Sequence, residues 1–246
     1  MSVVLVTGGT GVLGSRVVPL LRGGGHDVRV LSRRPGAGTH HGDLSTGEGV
    51  AQATGGAELV LHAASDTHRF GRADVQQTER LLAASIGARH LLYVSIVGID
   101  RIPYGYYRNK LACEAAIVAS PIPHTIFRAT QFHELLAGGL STVARLPLAP
   151  LPLDWRFQSV AAAEVAARVA QLLDGEPLGR APDFGGPEVL TARDILGVWR
   201  ERRGRPRAVV NLRVPGRFSR GLREGRLTCP DHADGRQTWA EFVRDG

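Results

Sequence analysis

The stretch Thr7-Gly8-Gly9-Thr10-Gly11-Val12-Leu13-Gly14 comes directly after the apolar run Val3-Val4-Leu5-Val6 and leads into a segment with helical spacing. A β-branched run that ends in clustered glycines reads as a strand stopping in a tight turn. The residues beyond the turn decide its meaning. Apolar residues recur at helical spacing over residues 12–21, so the glycines form a strand-turn-helix joint, where backbone N–H groups and a positive dipole end face outward. Three glycines have three tasks in such a joint: Gly8 turns the chain off the strand, Gly11 lets backbone approach a pyrophosphate, and Gly14 lets the helix pack on the sheet. With Thr10, Val12 and Leu13 they are the first candidate positions of a dinucleotide site.

Outward from the joint, short apolar runs alternate with amphipathic stretches, the pattern of βαβ units feeding a parallel sheet. Strands are expected at about 3–6, 27–31, 59–62, 91–95 and 125–128, and helices at about 12–21, 74–85 and 106–119. Residues 36–56 carry a weaker pattern. Beyond Phe132 the alternation loosens, and Leu146-Pro147-Leu148-Ala149-Pro150-Leu151-Pro152 reads as an apolar loop, too proline-rich for a helix. Further helices are expected at about 162–173, at 191–203 behind a Thr191 cap, and near 237–243, with a strand candidate at 208–212. The fold class is α/β, a Rossmann-like doubly wound parallel sheet with a small C-terminal substrate lobe. The expected organisation is one NAD(P)-binding domain over 1–246, with a cofactor core to about residue 130 and closing elements after it.

The bulk composition narrows the field. A chain of 246 residues, 43% hydrophobic, can bury a substantial core without staples, and no apolar run is long enough to span a bilayer. The early strand leaves no room for a signal peptide, so a cytoplasmic location is expected. Cys113 and Cys229 form no C-x-x-C pair and are expected to be reduced and structural. His40, His41, His62, His68 and His124 lack metal-ligand spacing, so no metal is expected. The net charge of +7 comes from arginines spread along the chain, including 200–207 and Arg217, Arg220, Arg223 and Arg226, without an aromatic platform. These read as solvated surface, and no nucleic-acid partner is expected.

The second strand ends in Val30-Leu31-Ser32-Arg33-Arg34-Pro35. A site that selects NAD carries an acid here for the ribose 2′-OH, and that acid would repel a 2′-phosphate. Ser32 stands in its place, and Arg33 and Arg34 suit bidentate phosphate contact. The expected cofactor is NADP(H).

Taken with the glycine joint, the motifs Gly42-Asp43-Leu44, His62-Ala63-Ala64-Ser65, Tyr93-Val94-Ser95, Tyr106-x-x-x-Lys110 and Phe127-Arg128-Ala129-Thr130 resemble the atypical short-chain dehydrogenase/reductase superfamily. They are similar to its NmrA-like and NAD(P)H-binding reductase branch, which Gly185-Gly186-Pro187-Glu188 before Leu190-Thr191 also resembles. The resemblance implies that Asp43 contacts adenine with Leu44 beside it, and that Ala63, Ala64 and Ser65 line the ribose and diphosphate. An Asp in this setting can equally close a turn. Gln131, Phe132 and His133 would face nicotinamide or substrate by the same analogy, though Phe132 suits a core as well. Trp155 and Phe157 suit either an apolar pocket or plain burial.

Tyr106 and Lys110 are four apart on an expected helix and share a face. A tyrosine, with a pKa of about 10, is a poor acid or base at neutral pH unless a cation stabilises its phenolate. An ammonium one turn away can do this and can also anchor the nicotinamide ribose. Lys110 is the single lysine among 30 Lys and Arg residues. The candidate catalytic set is Tyr106 as proton donor, Lys110 as cofactor anchor and phenol modifier, and Ser95 as accessory donor. The reading this supports is an NADPH-dependent reductase of a small, mainly apolar carbonyl or conjugated substrate. A non-enzymatic NADP(H) sensor and a nucleotide-sugar epimerase or dehydratase remain as alternatives.

Overall fold

Val3–Thr7 (β1) is flanked on both sides by parallel strands, Asp27–Ser32 (β2) and Leu59–His62 (β4). Val4, Leu5 and Val6 are fully buried, because a parallel strand covered by helices on both faces needs apolar residues at consecutive positions. In this computed structural model the described residues are 1–34, 36, 38–66, 71–204, 206 and 208–246. Pro35, His68, Arg205 and Arg207 of the sequence reading lie outside them. Among the described residues, Thr39–His41 (β3), His90–Ile96 (β5), His124–Ala129 (β6) and Gly179–Arg180 (β9) complete a seven-stranded sheet in the order β3-β2-β1-β4-β5-β6-β9. The order reverses between β1 and β4, and in such sheets ligands bind outside the carboxyl ends of the strands at that point.

The chain gathers into two compact units. The first comprises Met1–Ser95, Tyr104–Arg128 and Val165–Pro182, and the second Ile96–Pro103, Ala129–Glu164 and Asp183–Gly246. In the first, helices Gly14–Gly23 (α1), Val50–Thr54 (α2), Asp74–Ala84 (α3) and Gly105–Ala119 (α4) accompany the sheet. Leu5, Val60, Leu81, Leu91, Tyr93 and Ile117 meet in one of its cores. Helix α4 is tied to β6 by a buried bidentate pair: Arg128 donates from Nε to Glu114 Oε1 at 2.8 Å and from an Nη to Oε2 at 2.6 Å.

The second unit packs His133–Val143 (α5), Ala192–Arg203 (α7) and Trp239–Asp245 (α9) around Leu140, Leu153, Ile195, Trp199 and Trp239. Helix α7 carries the expected cap, with Thr191 Oγ1 accepting from the Asp194 N–H at 3.2 Å. Two features correct the sequence reading. The proline-rich stretch contains a strand, Leu148–Leu151 (β7), paired in parallel with Ala208–Asn211 (β11). Proline excludes a helix interior but not a strand at a sheet edge, and a two-stranded sheet is all edge. Helix α5 has no counterpart in the sequence reading, because Gly138 and Gly139 break its pattern; Leu136, Ala137 and Leu140 hold it by packing into the core. Among the described residues no helix is long and apolar enough to cross a membrane, and no three His, Cys, Asp or Glu side chains group as metal ligands.

Candidate functional site

At the carboxyl end of β1 each of the three glycines meets a different constraint. Gly8 has φ +71°, and a Cβ there would lie 2.7 Å from the backbone of Ala63 and Ala64, so the turn off β1 grazes the end of β4. At Gly14 a Cβ would lie 2.3 Å from Gly8 O and 2.5 Å from Gly9 Cα, so only glycine lets α1 start this close to the loop. Gly11 is exposed, its Cβ direction open but for Gly8 O at 3.3 Å. That opening leaves backbone accessible from the cavity that Gly11 lines.

Gly8, Thr10 and Gly11 form one wall of a cavity of about 830 Å³ in the first unit. Ser32, Arg33 and Arg34 after β2 form a second wall, Asp43, Leu44 and Ser45 a third, and Ala63, Ala64 and Ser65 after β4 a fourth. The sequence reading missed Thr7, Leu31, Gly42, Ser45, Asp66, Ala73 and Gln77, which also line it. Val12, Leu13, Gly14 and Lys110 do not. Val12 is exposed, and Leu13 and Gly14 are buried where the loop enters α1.

Local bonds give these walls their shape. Ser32 Oγ donates to Arg34 O at 2.9 Å and accepts from the Arg34 N–H at 3.1 Å, which fixes the turn and leaves both guanidinium groups exposed. Asp43 Oδ1 accepts from the Ser45 N–H at 2.7 Å, so this aspartate closes a turn while facing the cavity. Gln77 donates from Nε2 to Ser45 Oγ at 2.7 Å, joining α3 to that turn.

A buried polar chain carries the end of β4. Ala64 N–H donates to Thr7 Oγ1 at 3.3 Å, and Thr7 Oγ1 lies 2.8 Å from His62 Nδ1. Thr78 Oγ1 donates to Asp74 O at 2.7 Å and lies 3.0 Å from His62 Nε2. Since the Thr78 proton is committed, Nε2 carries the ring proton and Nδ1 accepts from Thr7. Burial, and then the Lys110 charge, push the His62 pKa down to about 3. The ring is a neutral pin, and its protonation is destabilising. An unfolded histidine titrates near 6.5, so the unfolded state binds the extra proton first as the pH falls. The protein is therefore expected to keep its full His62 contribution above about pH 6.5 and to lose about 1.4 kcal/mol per pH unit from there towards pH 3, read as a falling urea midpoint. A midpoint indifferent to pH over that range in His62-intact protein, against a His62→Asn control, would contradict the assignment.

The candidate catalytic residues sit beside this chain. Tyr106 Oη lies 3.0 Å from Ser65 Oγ, and Ser65 Oγ donates to Asp74 Oδ2 at 2.6 Å. The Asp66 N–H donates to Asp74 Oδ1 at 2.8 Å. Gly71, at φ +66°, makes the junction possible: a Cβ there would stand 3.0 Å from the Tyr106 ring and 3.1 Å from Asp74 Oδ2. Lys110 is 4% exposed; its Nζ donates to Val94 O at 3.4 Å and lies 4.7 Å from the centre of the Tyr93 ring. Burial lowers its pKa, opposed mainly by the charge of Asp74. Burial raises that of Tyr106, and the Asp74 charge adds to the rise. The cation that the sequence reading set against the phenol thus answers to a carboxylate it did not single out. Asp74 was hidden because an acid in the first turn of a helix has an ordinary reading at the dipole's positive end.

Ser95 is buried at the end of β5, and among the described residues its Oγ has no hydrogen-bond partner; the hydroxyl beside Tyr106 is that of Ser65. In the second unit, His133 has both ring nitrogens engaged, Nδ1 with Ser159 Oγ at 2.9 Å and Nε2 with Gln237 O at 3.0 Å, and packs on Trp239 and Phe242. Phe157 packs against the Trp199 and Trp239 core, and Trp155 donates from Nε1 to Ser219 Oγ at 2.9 Å.

The family model for NAD(P)H-binding proteins matches residues 8–176, from the glycine turn to just past α6 (Ala162–Asp174). The chain belongs to this NAD(P)H-binding family. A 3-beta-hydroxysteroid dehydrogenase of Mycolicibacterium neoaurum is 33% identical over 112 residues, 41% of this chain but only 31% of that protein's length. The (4-alkanoyl-5-oxo-2,5-dihydrofuran-3-yl)methyl phosphate reductase of Streptomyces griseus is 31% identical over 225 residues, covering 86% of this chain and 77% of that one. Among solved structures, the NADPH complex of the quinone oxidoreductase QOR2 of Escherichia coli superposes with a TM-score of 0.82. It covers 98% of this chain and 99% of its own at 18% identity, a likeness of fold alone. The cavity fits the family's cofactor: bare backbone at Gly11 for a diphosphate, small residues at Ala63 and Ala64, and cationic side chains at the end of β2.

Proposed function

We propose that this member of the NAD(P)H-binding family is an NADPH-dependent reductase acting on a small, mainly apolar carbonyl or conjugated acceptor. The observation that carries the reading is the contact between Tyr106 Oη and Ser65 Oγ, which joins the phenol to the wall of the dinucleotide cavity. When bound, the reduced nicotinamide supplies a hydride. The acceptor oxygen then needs a proton, and Tyr106 is the phenol beside the cavity that can give one, leaving a phenolate to be reprotonated from solvent. Lys110 is read as the cofactor anchor and as the cation that modifies the phenol, buried on α4 beside Tyr93 with its charge against Asp74. Ser95 Oγ, buried without a partner among the described residues, is available as an accessory donor to the acceptor oxygen.

The glycine loop (Gly8, Thr10, Gly11, Val12, Leu13 and Gly14) would hold the diphosphate. Asp43 and Leu44 would border adenine, and Ala63, Ala64 and Ser65 the ribose and diphosphate. Selection of NADPH rests on Ser32, Arg33 and Arg34. No carboxylate stands at the end of β2 to repel a 2′-phosphate, and Arg33 and Arg34 are exposed residues of the cavity wall there. Replacing Arg33 and Arg34 together with alanine is expected to weaken NADPH binding by at least about 10- to 100-fold, the loss of one charge-assisted hydrogen bond of about 1.5–3 kcal/mol. NADH affinity should stay as it was. Equal losses for both nucleotides in calorimetric titrations would remove the 2′-phosphate from the argument.

The kind of acceptor is suggested by the relatives' names, a furanone methyl phosphate reductase and an NADPH-dependent quinone oxidoreductase, since furanones and quinones both contain conjugated carbonyls. The test is calorimetric titration with NADPH and NADH, followed by NADPH oxidation against a panel of quinones, enones and aldehydes. Turnover with at least one conjugated acceptor is the expected result. Tight NADPH binding without turnover on any member would instead favour a nucleotide sensor.

A further inference from the structure

We infer that Asp74, acting through Ser65, holds Tyr106 in its acid form and so fits the site to donate a proton rather than to remove one. The inference rests on the reading of Tyr106 as proton donor and adds to it a positioning residue that the sequence motifs do not mark. The geometry carries it. Asp74 is 3% exposed, with one oxygen taking the Asp66 N–H at 2.8 Å and the other the Ser65 hydroxyl at 2.6 Å. The second distance is that of a hydroxyl donating to an ionised carboxylate.

Ser65 has one proton, and it points at Asp74. In the 3.0 Å contact between Tyr106 and Ser65 the phenol must therefore be the donor, and it can donate only while it keeps its proton. A phenolate at this place would need the Ser65 proton for itself and would have to take it from a carboxylate. It would also lie near that carboxylate's charge. Both effects work in the same direction, towards the neutral phenol.

The surrounding groups do not reverse this balance. Among the described residues, those around the phenol are Asp74 of α3, Cys113 of α4, and Tyr104 and Tyr107 beside it. Tyr93 of β5 and Lys110 of α4 lie deeper in the same layer. Lys110 is the cation among them, and its charge is set against Asp74. The Tyr106 pKa is accordingly raised, with burial as the larger cause and Asp74 contributing. Reduction uses the phenol as it stands, up to the pH at which it ionises, whereas the reverse oxidation must wait for the phenolate.

Two substitutions release the phenol's proton at lower pH. Asp74→Asn removes the charge and frees the Ser65 proton for the phenolate, so Tyr106 should ionise at a pH about 1 unit lower or more. Ser65→Ala removes the acceptor of the phenol's proton and with it the link to Asp74, so Tyr106 should also ionise at a lower pH. The readout is tyrosinate absorbance during alkaline titration of the full chain without nucleotide. The Tyr106 contribution is isolated by subtracting the same titration of Tyr106→Phe. Burial raises the pKa values of Tyr93 and Tyr107 as well, so a descending Tyr106 transition in the Asp74→Asn protein separates from theirs.

In the reductase assay the alkaline limb of the rate should move down with Asp74→Asn by the same interval. An unchanged or higher Tyr106 transition in Asp74→Asn overturns the inference. If that variant does not fold, Ser65→Ala decides alone, and an unchanged or higher transition there overturns it. The functional reading fails separately: full NADPH turnover in Tyr106→Phe would sink the role of the phenol as donor while leaving the shifts in absorbance to stand or fall by themselves.

Discussion

Tyr106→Phe is expected to lower NADPH-dependent turnover about 10²- to 10⁴-fold, the usual contribution of a positioned general acid, with NADPH affinity close to that of the parent protein. The substitution is clean here for a structural reason. It removes one hydroxyl that meets Ser65, and Ser65 keeps its 2.6 Å bond to Asp74, which in turn keeps the Asp66 N–H. The ring remains packed beside Gly71 and Tyr107. The loss should therefore fall on kcat and leave nucleotide binding measured by calorimetry intact. A rate within a few-fold of the parent would take Tyr106 out of the chemistry and direct attention to Ser95. A loss of NADPH binding in parallel would make the phenol part of the binding wall rather than the proton donor.

Glu114→Ala is expected to destabilise the protein by about 3–5 kcal/mol, measured by urea unfolding. The side chains of Glu114 and Arg128 are 9% and 6% exposed, and the fork of the guanidinium matches both carboxylate oxygens. Removing the carboxylate leaves a guanidinium charge where water cannot solvate it well, which costs more than the pair itself contributes. The effect should extend to function. Glu114 is one turn beyond Lys110 on α4, and the pair ties that helix to β6, so a loosened α4 would mis-set Tyr106 and Lys110 together. Glu114→Gln, which keeps acceptor and shape, should recover part of the stability. A loss below about 1 kcal/mol for the alanine variant would place this pair with exposed ion pairs in its energetic effect.

How far the sequence can be read depends on how local the physics is. The glycine joint was legible because each glycine meets a constraint set within a few residues: Gly8 by its positive φ, Gly14 by backbone 2.3–2.5 Å away in the same loop. The order of strands and helices through β6, apart from β3 and α2 in the weakly patterned residues 36–56, was legible for the same reason, since buried parallel strands show as unbroken apolar runs. Helix α5 and strand β7 were not, because each is fixed by partners distant in sequence, α5 by the tryptophan core and β7 by β11.

The candidate site divides in the same way. Gly8, Gly11, Ser32, Arg33, Arg34, Asp43 and the Ala63 to Ser65 stretch could be named because each ends a strand or turns a loop, and a parallel sheet brings strand ends together. Spacing on one helix paired Tyr106 with Lys110. Sequence alone therefore determined the fold class, the family resemblance and many, though not all, of the residues around one cavity. Only the tertiary structure decided which groups touch: Ser65 rather than Ser95 against the phenol, and Asp74, 32 residues before Tyr106, as the charge that Lys110 answers. The physical reason is that electrostatic and hydrogen-bond energies depend on distance and burial, and neither is a property of a residue's place along the chain.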